Sequence, residues 1–278
     1  MKNILVTGKN SYIGTSLDNW LMREPNKYQV DTMDTKDNSW RENTFSQYDA
    51  IYHVAGIAHV KETGENEELY YKVNRDLAYE VAKKAKLDGV KQFIFLSSMS
   101  VYGLENGIIS IDTQLKPNTA YGKSKIEAEK LIKTLADDSF IVAILRPPMV
   151  YGKGCKGNYP RLAALAMKTP IFPNIDNKRS MIYIDNLSEF VKQLIDNFSS
   201  GLFFPQNAEY VNTGEMVNLI AKSHGKKLKM LKLFNPLIKL MNISIVNKVF
   251  GNLIYEMSIV NKVDLVSFKD SIEMTEKN

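Results

Sequence analysis

TGKNSYIG, residues 7–14, decides the fold. It follows the apolar run Asn3–Val6 and leads into a helical pattern, so a glycine turn stands between a strand and a helix. Gly8 permits the tight exit from the strand, and Gly14 lets helix and sheet pack closely. Ser11 replaces the middle glycine of the usual G-x-x-G-x-x-G and is small enough to stand in for it. A helix N-terminus offers N–H groups and a positive dipole to an anion. Gly8, Ser11, Tyr12, Ile13 and Gly14 are therefore the expected cradle of a dinucleotide pyrophosphate.

Outward from this turn, apolar runs alternate with helical patterns. Tyr28–Met33, Ala50–Ala55, Gln92–Leu96 and Phe140–Leu145 read as strands buried on both faces, as in a parallel sheet. Leu69, Val73, Leu77, Val81 and Ala85, spaced by four, predict one helical face. A second helix is expected over Tyr121–Ala136, with Ile126, Leu131 and Leu135 inward. The fold class is α/β: a Rossmann-type doubly wound parallel sheet with a smaller C-terminal substrate-binding α/β portion. The boundary is placed at 150, giving domains 1–150 and 151–278, partly interleaved. It falls where Pro147, Pro148, Gly152, Gly154, Gly157 and Pro160 mark a long loop. Beyond it, helices are expected around Asp185–Asn197 and Thr213–His224, with a strand at Leu202–Phe204.

Asp34 stands just past the second strand, where a carboxylate can accept both ribose hydroxyls and would repel a 2′-phosphate. NAD is thus favoured over NADP, which Lys36 keeps as the minority reading. The plainer alternative is that Asp34 caps a turn in DTKDNS and that Asp31 or Asp37 takes the role.

YGKSK, residues 121–125, places Tyr121 and Lys125 four apart on one helical face. A phenol is a poor base at neutral pH, and a nearby ammonium together with a positively charged nicotinamide favours its phenolate. It can then exchange a proton with an oxygen whose carbon exchanges hydride. LSSMSVYG at 96–103 offers the hydroxyls of Ser97, Ser98 and Ser100 at a strand end. Asn74 lies on the preceding helix, and RPPMVYG ends the following strand.

Taken in order, TGKNSYIG, HVAG at 53–56, VN at 73–74, SSMSVYG, YGKSK, RPPMVYG and RSMIYIDN at 179–186 resemble the extended short-chain dehydrogenases of the NAD-dependent epimerase/dehydratase family. The resemblance implies that Ser98 is the catalytic hydroxyl, Tyr121 the general acid/base and Lys125 the partner that tunes it. It further implies that Val54, Ala55, Gly56, Asn74 and Pro147 line the cofactor, and that Ser100, Asn158 and Arg179 bind substrate. The acidic pair that dehydratases carry after the catalytic hydroxyl is replaced by Met99 and Ser100, which speaks against dehydration. The implied activity is 4-epimerisation of a nucleotide-linked sugar, such as a UDP-hexose. The alternative is NAD(P)H-dependent reduction of a 4-keto nucleotide sugar. A non-catalytic NAD-binding sensor is the third reading, although this chain keeps the serine, tyrosine and lysine that sensors usually lose. Relatives pair as homodimers through the helix around Asn74–Lys86 and the tyrosine helix. Ala78, Ala82, Ala85 and Ala128 would allow that approach, unless they simply pack on the sheet.

The balance of residues excludes other classes. A hydrophobic fraction of 44% and a charged fraction of 24% are those of a globular enzyme. Basic residues exceed acidic ones by five, an excess that reads as spread along the chain, without the aromatic interleaving of a nucleic-acid surface. Cys155 is the only cysteine, and His53, His59 and His224 lack ligand spacing, so neither a disulfide nor a metal is expected. No membrane-spanning or leader segment is read, and a cytoplasmic location follows. Lys226–Phe250 is basic and apolar together, yet Pro236 and the β-branched residues Ile243–Val246 favour a strand and a packed helix over a membrane-surface helix.

Overall fold

The computed structural model describes residues 1–58, 60, 62–233, 235 and 244–277, so His59, Pro236 and Ile243 lie outside it. The chain opens with β1 (Lys2–Thr7), α1 (Tyr12–Leu21), β2 (Tyr28–Met33) and β3 (Ala50–His53). Next come α2 (Glu67–Tyr71), a π-helical turn at Lys72–Asp76, α3 (Leu77–Leu87), β4 (Gln92–Leu96), β5 (Gly107–Ile109) and α4 (Ala120–Lys133). β6 (Ile141–Leu145), β7 (Met149–Tyr151), α5 (Asn158–Lys168), β8 (Ile171–Pro173), β9 (Met181–Tyr183) and α6 (Ile184–Asp196) follow. The chain continues through β10 (Gly201–Phe203), β11 (Pro205–Asn207), α7 (Thr213–Ser223) and β12 (Lys229–Leu231). A helix at Ser244–Phe250, β13 (Leu253–Tyr255), β14 (Asn261–Val263) and a helix at Phe268–Glu276 close it.

Two compact units share these elements. The first comprises Met1–Gly103, Gln114–Pro147 and Leu187–Phe204, and the second Leu104–Thr113, Pro148–Asn186 and Pro205–Asn278. The first unit holds a six-stranded sheet in the order β10-β6-β4-β3-β1-β2, every pairing parallel. Its inner strands β1, β3, β4 and β6 are apolar runs buried as expected, because only apolar residues tolerate burial on both faces, whereas β2, expected to be buried on both faces, is an edge strand with Gln29, Asp31 and Thr32 exposed. Phe93, Phe95 and Ile144 of the sheet pack with Ala78, Val81, Ala82 and Ala85 of α3 and Ala128 and Ile132 of α4.

Two expectations about those helices are corrected. Leu69 is 48% exposed, and the inward face of α3 is Ala78, Val81, Ala82 and Ala85 rather than a stride of four. A stride of four drifts by about 40° per step in an α-helix, and the π-helical turn ahead of α3 breaks the register. Leu131, expected inward, is 37% exposed, while Ala128 and Ile132 are buried. The alanines that were candidates for a close dimer contact thus lie inside the first unit.

The second unit is built from two-stranded parallel pairs: β11 with β14, β12 with β8, β13 with β5, and β7 with β9. The proline- and glycine-rich stretch after Arg146 is not one long loop, since it contains β7 and the start of α5. Pro160 is the third residue of α5, where its missing N–H costs nothing.

Candidate active site

The turn after β1 builds a cradle inside the first unit. Gly8 has φ +92°, and a Cβ there would sit 2.9 Å from the Ala55 nitrogen, so both its conformation and its surroundings demand glycine. The amides of Gly8 and Lys9 donate to the Met33 carbonyl at 2.9 and 3.1 Å. This stitches the turn to the end of β2 and brings Asp34 beside it. Ser11 is the N-cap of α1, and its Oγ accepts from the Gly14 amide at 3.2 Å. The serine that replaces the middle glycine therefore takes one first-turn amide. A Cβ on Gly14 would meet Ser11 Oγ at 2.6 Å and Val54 Cγ2 at 3.1 Å, so Val54 forms the floor. Asp34 accepts from the Lys36 amide at 3.0 Å, capping a turn, and its carboxylate stays exposed at the rim.

α4 is capped twice. Thr119 Oγ1 accepts from the Gly122 amide at 3.1 Å, and Glu62 Oε1 accepts from the Ala120 amide at 2.7 Å. A Cβ on Gly122 would lie 2.7 Å from the Ser100 carbonyl oxygen. That close approach sets the tyrosine helix against the turn Met99–Tyr102. Ser98 Oγ accepts from the Ser100 amide at 3.1 Å. Burial pushes the Tyr121 phenol above its ordinary value, the neighbouring Ser98 hydroxyl opposes this, and Tyr70, whose ring stands edge-on at 6.4 Å, adds to it. Ser100 Oγ is buried beside this pair without a hydrogen-bond partner.

Lys125, one turn along α4, is 3% exposed. Its ammonium donates to the Leu96 carbonyl at 2.8 Å and stands 4.8 Å from the centre of the Phe95 ring. Burial brings its pKa down to about 8, with Glu129 pulling the other way. The folded value lies below the ordinary 10.5, so the unfolded chain binds the extra proton between these two pH values. The burial cost is therefore fully present below pH 8 and gone above pH 10.5. We predict that Lys125→Met makes the cofactor-free protein more stable at pH 7 by about 2 kcal/mol, a difference that thermal melts should show shrinking as pH rises past 8.

Gly56 lies between Lys125 and Asn74: a Cβ there would be 3.4 Å from Lys125 Nζ and 2.8 Å from Asn74 Oδ1. Asn74 is wholly buried in the π-helical turn, a distortion common at functional sites. Its Oδ1 accepts from the Ile57 amide at 2.8 Å, and its Nδ2 donates to the Ile57 carbonyl at 3.1 Å and to Ser124 Oγ at 3.2 Å. The side chain thus clamps the segment after β3 to the tyrosine helix. Pro147 accepts from the Met99 amide at 3.0 Å, which joins the end of β6 to the Ser98 turn. His53, buried behind the site, bonds Thr7 Oγ1 through Nδ1 at 2.8 Å, and burial lowers its pKa to about 3, so it is neutral.

Sequence reasoning missed the group beneath the site. Glu129, one turn beyond Lys125, is 1% exposed. Its Oε1 accepts from Ser97 Oγ at 2.5 Å and Arg146 Nε at 3.0 Å, and its Oε2 accepts from Arg146 Nη2 at 2.6 Å. Arg146 Nη1 donates to the Tyr102 hydroxyl at 2.8 Å. The available signals were a carboxylate four residues after Lys125 on the same helix and an arginine closing the apolar run before Pro147.

The NAD dependent epimerase/dehydratase family model matches residues 4–203, spanning the cradle, Ser98, Tyr121 and Lys125. The chain belongs to that family. It is accordingly an NAD-dependent enzyme of the extended short-chain dehydrogenase type. It is 32% identical over 247 residues to a UDP-glucose 4-epimerase of Vibrio cholerae, covering 79% of this chain and 75% of that protein. It is 26% identical over 254 residues to the N-acetyl-alpha-D-glucosaminyl-diphospho-ditrans,octacis-undecaprenol 4-epimerase of Escherichia coli O157:H7, covering 84% of this chain and 76% of the relative. The fold is that of a Bacillus cereus UDP-glucuronic acid 4-epimerase solved with NAD, at TM-score 0.75, 19% identity and coverage of 99% and 97% of the two chains.

The residues present fit the cofactor of this epimerase/dehydratase family. A glycine-lined turn opens a helix N-terminus, an exposed carboxylate follows β2, and a buried ammonium has its one hydrogen bond among the described residues to a carbonyl. In the second unit, Asn158 is exposed at the start of α5, directly after Gly157, rather than in a loop. Arg179 is half-buried, donates to the Gly251 carbonyl at 3.1 Å and the Asn247 carbonyl at 3.4 Å, and has no carboxylate partner among the described residues. No group of three or more histidines, cysteines or carboxylates that could hold a metal occurs among the described residues.

Proposed function

We propose that this enzyme is an NAD-dependent UDP-hexose 4-epimerase. The observation that carries the reading is Tyr121 one turn before the buried Lys125 on α4, with the Ser98 hydroxyl near enough to favour its phenolate, in a chain so similar to a UDP-glucose 4-epimerase. A nicotinamide held by these residues would supply the hydride acceptor and donor for C4 of the sugar. Tyr121 takes the proton of the C4 hydroxyl and gives it back to the opposite epimer, while Ser98 holds that oxygen. The Lys125 ammonium, held in place through the Leu96 carbonyl, binds the ribose and stabilises the phenolate. Tyr12 and Ile13 contribute first-turn amides to the pyrophosphate, and Ala55, Gly56 and Pro147 shape the nicotinamide side. Asn74 acts by fixing the Gly56–Ile57 backbone. Ser100, with its sheltered unpaired hydroxyl, Asn158 and Arg179 bind the nucleotide sugar. Arg179 suits the diphosphate because a half-buried guanidinium without a carboxylate lacks a counter-charge. The enzyme acts in the cytoplasm. Copies pair through the outer helical faces, where Leu87 is 77% and Leu131 37% exposed, and a monomeric mass by light scattering at micromolar concentration would contradict this.

The test is the cofactor content of freshly purified protein, followed by incubation with UDP-glucose and UDP-galactose without added cofactor. Bound NAD and interconversion support the epimerase. Empty protein that oxidises added NADH only with a 4-keto sugar would make it a reductase. Asp34→Ser removes the carboxylate that repels a 2′-phosphate, and we predict that the NAD-over-NADP preference in binding titrations falls about tenfold or more. The Escherichia coli relative supports a second reading of the substrate, a sugar diphosphate linked to undecaprenol. The C4 chemistry would be unchanged, and turnover of that substrate alone would select it.

A further inference from the structure

Residues 216–255 contain seven lysines and not one acidic residue. The rest of the chain holds 29 basic and 31 acidic residues. The positive excess is therefore not spread along the chain but belongs wholly to this stretch. In its described part, Lys222, Lys227, Lys229, Lys232 and Lys248 are exposed, the last paired with Glu105 at 3.1 Å.

The second unit sets these lysines beside exposed apolar side chains. Lys226 fastens the stretch to the end of α5, its Nζ donating to the carbonyls of Ala166, Met167 and Thr169 at 3.0, 2.7 and 2.8 Å. β12 then runs parallel to β8 with Lys229 opposite Ile171, which is 41% exposed. The exposed residues of α5 include Arg161, Leu165 and Lys168, which the helical repeat brings to one side, with Met167 42% exposed next to them. α5, β8, β12 and the turn before β12 thus carry three exposed apolar residues and four exposed cations, Arg161, Lys168, Lys227 and Lys229. Lys232 is set apart from them, in a cleft of about 560 Å³ that Asp176 and Glu215 also line.

We propose that this face docks the enzyme reversibly on an anionic membrane surface. Lysine and arginine meet the lipid phosphates, and Leu165, Met167 and Ile171 enter the headgroup layer. None of these exposed side chains is aromatic, which sets the face apart from a base-stacking nucleic-acid platform. No helix among the described residues is long and apolar enough to cross a membrane, so the association is peripheral. The surface is composite, formed by α5 and the β8–β12 pair, and needs no single amphipathic helix. The inference does not depend on which sugar is turned over.

The test is co-sedimentation of the intact protein with vesicles of phosphatidylcholine and phosphatidylglycerol at seven to three, and of phosphatidylcholine alone. The expected result is binding to the anionic vesicles, at least tenfold weaker binding to the neutral ones, and release in 0.5 M salt, where screening is short-ranged. The Lys227→Glu/Lys229→Glu variant should bind at least about twenty-five-fold more weakly, with an unchanged circular dichroism spectrum because both positions are exposed. Lys83→Glu/Lys91→Glu, the same charge change on the first unit, should bind as the parent does. Failure to bind anionic vesicles would overturn the proposal. So would equal loss in both double variants, or retention of duplex DNA without retention of vesicles.

Discussion

Tyr121→Phe folds, keeps its cofactor and loses about three orders of magnitude in sugar turnover. The substitution leaves the ring against Tyr70 and removes only the hydroxyl. Because burial raises the phenol in the protein alone, the parent needs cationic help to reach the phenolate, and its rate should rise with pH until the phenol is ionised. The variant's residual rate should lack that rise. Steady-state kinetics from pH 6 to 10, with released cofactor measured in parallel, check both statements. A variant that keeps the parental rate would assign proton transfer elsewhere and revive the sensor reading.

Glu129→Ala is expected to cost about 3–5 kcal/mol of stability, the largest structural effect of any single change considered. The carboxylate accepts three hydrogen bonds from Ser97 and Arg146, and its loss removes the counter-charge of a guanidinium that is 4% exposed. The melting temperature should fall by about 8 °C or more. Glu129→Leu with Arg146→Met removes both charges and should recover much of that loss, since a buried pair contributes little over apolar residues of similar size. It should not recover activity. Glu129 and Arg146 tie together α4, the end of β4 and the end of β6, the three places that carry Tyr121 with Lys125, Ser98 and Pro147. Thermal melts of the three variants separate these outcomes. Equal destabilisation of the single and double variants would show that packing rather than the lost counter-charge sets the cost.

The first unit was largely legible because its signals are local. The inner strands of the sheet are largely apolar runs, and the glycine turn sits where one strand becomes a helix. Tyr121 and Lys125 share a face through helical spacing alone, and the order of the motifs supplied Ser98. What escaped depends on partners distant in sequence. β5 has three residues and pairs with β13, more than 140 positions later, so nothing near it announces a strand. The Glu129–Arg146 pair joins a helix to a strand, and from sequence each residue reads as a surface charge. The inward face of α3 was misjudged because a π-helical turn leaves no mark in hydrophobic spacing. Asn158 was placed in a loop because Pro160 reads as a breaker, although a first helical turn accepts proline.

The most direct test follows deuterium at C4 of UDP-glucose. If the Ser98–Tyr121–Lys125 site performs a C4 epimerisation in which hydride leaves and returns within one binding event, UDP-galactose should form without added cofactor. It should retain the C4 label and acquire no solvent hydrogen at that carbon. Loss of the label to water, or product formation only with added NADH, would contradict that chemistry.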